Sequence, residues 1–316
     1  MDDQRAVAND DLLRELLPSV ERALDRHLAA AAEWFPNEFV PYEQGRNYID
    51  EPWRPTDSTL SDVSQTALEV NLLTEDNLPY YQLGLWRTFG RDEAWGRWVR
   101  RWTAEEGRHA IVIRDFLTVT RGIDPQKLER GRMDMLSRGW YPAFAEQGPL
   151  DGVMFTTIQE LATRVSHRNT GELTEDPLAQ RLCARVATDE NLHYVFYRDM
   201  AAEAIQVDPS AAMLAIARQV LGFQMPGADM PGFREKAKTM ARAGVYNLRI
   251  HHDQVLRPIF DTHWRLGEVD GLSDDAKQAR EDIYAHLDRI DRVASKLGEP
   301  LGPVTRDLSN DPIDGP

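Results

Sequence analysis

Two short segments carry the residue types a metal centre needs: Glu105-Glu106-Gly107-Arg108-His109 and Asp189-Glu190-Asn191-Leu192-His193. Each reads acid-Glu-x-x-His. On a helix, positions i and i+3 share a face, so one carboxylate and one imidazole can hold an ion together. Both pairs continue apolar stripes rather than wet ones. Trp95, Trp98 and Trp102 lead into Glu106, His109 and Ile113, and Leu182 and Val186 lead into Glu190, His193, Tyr197 and Met200. An unpaired carboxylate among such neighbours is costly unless a cation compensates it. One Glu-x-x-His in an acidic helical protein is more often a solvated ion pair. Two copies on apolar stripes point to metal.

Two further acids complete a ligand set. Glu75 shares a face with Leu68, Leu72 and Gln82 and precedes Glu106 by 31 residues. Glu160, near Val153, Thr157 and Thr163, precedes Glu190 by 30. The turns between partners centre near Gly90 and Glu175, midway along each interval. In an antiparallel helix pair, residues equidistant from the turn lie level, here about 22 Å from it at ~1.5 Å per residue. Four helices then present Glu, Glu-x-x-His, Glu and Glu-x-x-His in one layer, the ligand set of carboxylate-bridged di-iron or di-manganese bundles.

The rest of the chain reads as the helices needed to hold that layer. Leu12, Leu16, Val20, Leu24 and Leu28 form one stripe within a helix over 10–34. Further helical patterns cover 58–88, 92–120, 124–138, 148–170, 177–206, 209–221, 230–250, 252–266 and 273–296, separated by Gly and Pro. Pro79 should kink the helix that carries Glu75. Alternating β-branched runs are missing, so the fold class is all-α. The organisation expected is one helical domain over 1–297, with an extended or disordered tail over 298–316 that holds four prolines.

Composition narrows the chemistry. The 316 residues include 52 Asp and Glu against 37 Lys and Arg, a net charge of −15, which argues against nucleic acid as a partner. The one cysteine, Cys183, excludes a disulfide framework and a Cys₄ site, and reads as a small core residue. Any metal must be held by histidine and carboxylate. The N-terminal stretch is acidic without an apolar targeting core, and no run is long enough for a membrane span, so the expected location is cytoplasmic.

At these residues the sequence resembles the soluble acyl-[acyl-carrier-protein] desaturases of plastids and actinobacteria, a ferritin-like di-iron family. The matching landmarks are WFPNEFVP (34–41), LTEDNLPYYQ (73–82), WTAEEGRH (102–109), QELATRVSHRNT (159–170), ATDENLH (187–193), GVY (244–246) and GLS (271–273). They run in family order over most of the chain. Ferritins and ribonucleotide reductase small subunits share the ligand logic but not the WxPxxFxP and TExxLP segments. The resemblance implies a ferritin-like four-helix bundle with additional helices. It makes Glu106 and Glu190 bridging ligands, Glu75 and Glu160 terminal carboxylates, and His109 and His193 the imidazole ligands. Two iron ions would be bound, with manganese accepted by the same set, and O₂ would be co-substrate.

The resemblance also assigns Asp189 to orienting a histidine and linking it to Trp34, and places Thr163 on the oxygen-binding side. By the internal pseudo-symmetry, Glu105 would serve the other histidine. The activity implied is O₂-dependent insertion of a cis double bond into an acyl chain carried on acyl carrier protein, in fatty acid biosynthesis. Ferredoxin or a similar protein would supply electrons, and the enzyme would be a homodimer. Two other readings stay open: a di-iron hydroxylase or N-oxygenase, and a ferritin-like carrier-binding protein without turnover.

The substrate tunnel is expected beyond Glu75, along Gly84, Leu85 and Thr88, where Arg87 is an awkward lipid-facing residue. Trp102, Trp86 and Phe155 suit the lining of a dry site or plain core packing. Acidic partners need a basic island, and Arg234, Lys236, Lys238, Arg242 and Arg249, or Arg97, Arg100, Arg101 and Arg108, could form one. His167 and the pair His251 and His252 read as incidental, since the ligand set is already complete.

Overall fold

The computed structural model describes residues 2–223, 230 and 232–303. Among them there is no strand, and the elements are α1 (Asp2–Ala30), α2 (Asp62–Glu75), α3 (Leu78–Phe89), α4 (Glu93–Val119), α5 (Pro125–Arg138), α6 (Pro149–Leu173), α7 (Pro177–Val207), α8 (Pro209–Leu221), α9 (Phe233–Ala243), α10 (Leu248–Ile250) and α11 (Asp274–Leu297). A chain this rich in 3.6-residue stripes buries its apolar faces helix on helix. The inner bundle is α2, α4, α6 and α7. α1 lies against α4, α6 and α7, α8 packs on α6 and α7, and α11 packs on α8.

α6 is the axis of the molecule. Leu161, Ala162, Val165 and Ile158 are fully buried, and the polar Glu160, Thr157 and Asn169 are buried with them. α7 follows after the Thr174–Asp176 turn, where Asp176 accepts hydrogen bonds from the Leu178 and Ala179 amides and Pro177 starts the helix. The two helices approach closely at Gly171, where a Cβ would lie 2.9 Å from the Cys183 Cβ. Cys183 is buried in that seam. The turn from α3 to α4 is made at Gly90, whose φ of 81° favours glycine. The two turns expected near Gly90 and Glu175 are therefore present.

Four expected helices differ. The first ends at Ala30, so Trp34 sits beyond it on extended chain, because Pro36 forces Phe35 to φ −131°, ψ 146°. The helix expected over 58–88 is two helices, broken at Asp76 and Asn77. Pro79 is not an internal kink but stands in the first turn of α3, where a missing amide costs nothing. The break is fixed from outside, by Arg132 gripping the Asp76 carboxylate and by Asn77 Nδ2 donating to the Trp140 carbonyl. The helix expected over 230–250 stops at Gly244, left-handed with φ 79°, and the stretch after α10 is π-helical over His251–Leu256 and Pro258–His263. The expected break at Pro226-Gly227 lies outside the described residues.

Of the expected tail, residues 298–303 are described and non-helical, and they are held. The Pro300 carbonyl accepts from Asn247 Nδ2, the Leu301 carbonyl from Gln254 Nε2, and the Glu299 carboxylate from the Arg249 amide. Residues 304–316 lie outside the described residues. No helix among the described residues is long and apolar enough to cross a membrane.

Candidate metal centre

Each inner helix delivers its residue to one layer. α2 ends on Glu75, α4 carries Glu106 and His109 mid-length, α6 carries Glu160, and α7 carries Glu190 and His193. All six are buried, His109, Glu160 and His193 at 0% exposure. Candidate ligand atoms of Glu75, Glu106, His109 and Glu190 lie within 4.8 Å of one another, and so do those of Glu106, Glu160, Glu190 and His193. Glu106 and Glu190 belong to both groups, as two carboxylates bridging a pair of ions would.

The two histidines are oriented alike. His109 Nε2 lies 3.4 Å from Asp189 Oδ2, and His193 Nε2 lies 3.0 Å from Glu105 Oε2. A carboxylate only accepts, so each Nε2 carries the proton and each Nδ1 presents its other side inward. His193 Nδ1 is 2.8 Å from Glu106 Oε1 and 3.7 Å from Glu160 Oε2. His109 Nδ1 is 3.3 Å from Glu190 Oε1, 3.4 Å from Glu106 Oε2 and 3.7 Å from Glu75 Oε2. Both Nδ1 atoms, Glu106 Oε1 and Glu160 Oε2 are buried without a hydrogen-bond partner. Acceptors facing acceptors across 3 Å or so need protons or cations between them. The donor set, four carboxylates and two imidazoles, suits two divalent ions of the iron or manganese kind.

The electrostatics of the metal-free protein agree. Burial, reinforced by the Glu190 and Glu106 charges, pushes Glu160 well above the usual carboxylate range. Burial and the Glu190 charge raise Glu106. Against burial, the carboxylates of Glu106, Asp189 and Glu190 raise His109 well above its ordinary value, and Glu105, Glu106 and Glu160 do the same for His193. Glu75 and Glu190 go the other way: burial opposes their charge, but the neighbouring His109, with His167 bonded to Glu75, holds both below the usual range. The centre thus retains protons where the ions would sit.

Around this layer the structure brings Trp34, Asp189 and His109 together. Trp34 Nε1 donates to Asp189 Oδ2 at 2.8 Å, and the indole stacks on the His109 ring at 6.4 Å between centroids. Arg108 donates to the same oxygen at 2.9 Å and lies over the indole, while Arg185 pairs with Asp189 Oδ1. Burial works against it, but the hydrogen bond from His109 and the Arg185 charge keep Asp189 ionised. Glu105 stands in the corresponding place beside His193. Thr163 Oγ1 is 2.9 Å from Glu190 Oε2 and 3.0 Å from the Glu160 carbonyl, so its one proton has a site partner as well as its own helix. Trp102 donates from Nε1 to Glu160 Oε1 at 3.0 Å. Phe155 packs instead among Phe144, Trp140 and Phe223, and Trp86 is half-buried beneath Arg91.

Sequence reasoning passed over two residues. His167, read as incidental, places Nε2 2.8 Å from Glu75 Oε1 and Nδ1 3.3 Å from Asn71 Nδ2. It lies two turns beyond Glu160 on the same face, which was the available signal. His27 contacts Glu105 from α1. Of the other pair, His251 is a packed core residue, bonded to the Tyr246 hydroxyl and stacked on Phe223.

The side chains at the positions expected to line a tunnel pack as follows. Gly84 and Thr88 are closely packed: a Cβ on Gly84 would come within 2.7 Å of Pro142, and one on Gly152 within 2.7 Å of Thr88. Arg87 is no lipid-facing residue, since it points outward to Glu146 and Tyr141. A cavity of about 70 Å³ borders the centre on the opposite side, lined by Val70, Thr74, Thr163, His167, Phe233 and Met240 among others. The suggested basic islands are largely neutralised: Lys236 pairs with Glu69, Lys238 with Glu235, Arg249 with Asp291, Arg101 with Glu105 and Arg108 with Asp189. Arg234 and Arg242 are exposed.

Comparison with known proteins adds to this geometry. The chain matches the fatty acid desaturase family over residues 8–306. It is 44% identical over 295 residues to a Mycobacterium tuberculosis protein named as the acyl-[acyl-carrier-protein] desaturase DesA1, covering 90% of this chain and 87% of that one. It is 30% identical over 285 residues to the chloroplastic stearoyl-[acyl-carrier-protein] 9-desaturase 6 of Arabidopsis thaliana, covering 85% of this chain and 72% of that one. The crystal structure of the acyl-ACP desaturase DesA2 from M. tuberculosis H37Rv superposes with a TM-score of 0.69 at 29% identity, over 85% of this chain and 99% of that one.

Proposed function

Because the chain belongs to the fatty acid desaturase family, we propose that it is an acyl-[acyl-carrier-protein] desaturase that uses O₂ to place a cis double bond in a carrier-bound acyl chain. The observation that carries this reading is the confrontation of unpartnered Nδ1 and carboxylate oxygens among six buried residues. Glu75, Glu106, His109 and Glu190 would hold one iron, and Glu106, Glu160, Glu190 and His193 the other. Iron held there would supply the O₂-derived oxidising power needed to take hydrogen from an unactivated methylene pair.

The protein's own residues do the rest. His109 and His193 are held in one tautomer by Asp189 and Glu105. Trp102 orients one oxygen of Glu160, and Thr163 offers a hydroxyl proton at Glu190 Oε2. The apolar cavity beside Thr163 and His167 admits methylenes and excludes water from the reacting side. Trp34, buried and bonded to Asp189, would extend the path from His109 by one ring for electrons from a ferredoxin-like donor. Acyl carrier protein is acidic, so its docking on a chain of net charge −15 falls to a local cationic spot, and exposed Arg234 and Arg242 on α9, beside the cavity wall, are the assigned residues. Pairing with a second copy belongs to the same reading.

The test incubates purified protein with acyl carrier proteins of several chain lengths, ferredoxin, its reductase and O₂. A double bond in the recovered acyl chain is expected. A hydroxylated product would overturn the desaturase assignment, and no product with any chain would favour a carrier-binding role.

A further inference from the structure

The two ligand histidines are supported by two arms of the same design and different composition. In one, Trp34 donates to Asp189 Oδ2, the oxygen that His109 also approaches, and the indole lies parallel to the imidazole at 11°. In the other, His27 Nε2 is 2.9 Å from Glu105 Oε2, the oxygen that accepts from His193 Nε2, and the two imidazoles stack at 5.8 Å and 21°. Each carboxylate is the residue preceding a shared ligand Glu, and each also takes a guanidinium, Arg108 and Arg185 on Asp189 and Arg101 on Glu105. Trp34 and His27 occupy equivalent places: a flat ring whose N–H pins the carboxylate and whose face limits tilting of the ligand imidazole.

His27 is not there as generic core. Its side chain is buried in the last turn of α1, held edge-on by Trp98 at 4.9 Å between ring centroids, and its Nδ1 has no partner. Glu105 is a pure acceptor, so Nε2–H must be the donor. Filling this place with phenylalanine would keep the stacking and lose the bond, leaving Glu105 Oε2 with His193 as its one hydrogen-bond partner while Arg101 still holds Oε1. We propose that His27 is a positioning residue: by pinning Glu105 Oε2 it fixes the orientation of His193 and tightens the metal position that His193 serves, without affecting the position served by His109. This rests on the metal-centre reading above and extends it to a residue on α1.

Stepwise titration of metal-free protein with Co(II), followed by its visible absorption, reads the two positions without turnover. Wild type should take about two equivalents. His27→Phe should weaken one equivalent by roughly 10–100-fold, the usual cost of losing a partner that orients a ligand, and leave the other unchanged. His27→Gln, which restores an N–H donor, should recover most of the loss. In a His193→Ala background the His27→Phe change should have no further effect, whereas in His109→Ala it should keep its full effect. Circular dichroism of the metal-free variants checks folding, and His27→Leu replaces His27→Phe if the latter does not fold. Unchanged Co(II) affinity in the phenylalanine variant overturns the proposal, as does equal weakening of both equivalents or failure of glutamine to rescue. Failure of wild type to take two Co(II) ions would instead overturn the metal-centre reading itself.

Discussion

The two halves of the inner bundle supply the same ligand pattern from different mechanical settings. α6 and α7 are long, unbroken and joined by a short capped turn, and Glu160 sits mid-helix at 0% exposure with Trp102 on one oxygen. α2 instead stops at Glu75, α3 restarts three residues later, and the break is gripped by Arg132 and Asn77. The cavity lies where this interrupted half meets α6, between Val70 and Thr74 on α2 and Thr163 and His167 on α6, the last being the histidine that takes Glu75 as its partner. One half is continuous and the other is broken beside the cavity that both line. Symmetry of ligands does not require symmetry of stiffness.

The largest expected effect removes what both halves share. Glu190→Ala deletes a carboxylate common to both ligand groups, so iron per chain should fall from about two to well below one, and desaturation with it. Iron analysis of the reconstituted variant checks this. Retention of two irons would show that the layer is not the metal centre.

Protonation distinguishes the halves next. In the metal-free protein Glu160 is pushed well above the usual carboxylate range by burial and by its Glu190 and Glu106 neighbours, while Glu75 is held below it, against burial, by His109 and His167. Glu160 should therefore keep its proton to higher pH than Glu75 does. Infrared spectra should show a protonated carboxyl stretch that disappears in Glu160→Gln and persists in Glu75→Gln. Metal must displace that proton and those on the raised histidines, so loading releases protons and affinity rises with pH. Affinity independent of pH between about 6 and 8 would contradict these shifts, since a site losing one proton on binding changes about tenfold per pH unit.

How much of this could be read from the sequence follows from the range of each interaction. Glu-x-x-His on an apolar stripe is legible because the helical period is local, and the intervals from Glu75 to Glu106 and from Glu160 to Glu190 are legible because Gly90 and Pro177 mark the turns. The pairings of His27 and His167 are not, since their partners lie 78 and 92 residues away, although the face His167 shares with Glu160 marks it as near the layer. The break after Glu75 was visible as Pro79 but misplaced in kind. A proline signals where a helix cannot continue inward, whereas Arg132, 56 residues from Asp76, decides where it stops. Trp34 was misread as helical because alanines carry the pattern through to it while Pro36 acts backward by only one residue.

Arg132→Ala tests the interrupted half with a moderate effect. It leaves Asp76, 8% exposed, without its charged partner, and should cost about 1–3 kcal/mol in urea unfolding of the metal-free protein. The Glu75 side of the centre should loosen more than the Glu160 side, so Co(II) titration should weaken the equivalent that includes Glu75. Equal loss on both sides would mean that the break is not an independent mechanical unit.

The smallest effect is expected from the residue that the sequence makes most conspicuous. Pro79 lies in the first turn of α3, where an amide would have no partner within the helix, so Pro79→Ala breaks no hydrogen bond and steric demand falls. What changes is chiefly the unfolded chain, which gains freedom, and the cost should stay within about 1 kcal/mol. Asp76 and Asn77 keep their grips on Arg132 and Trp140, so the break should persist and two metal equivalents should still bind. If instead Pro79→Ala fuses α2 to α3, helical content will rise and the Glu75 equivalent will weaken. The proline, rather than the arginine, would then be what keeps the two halves of the bundle different.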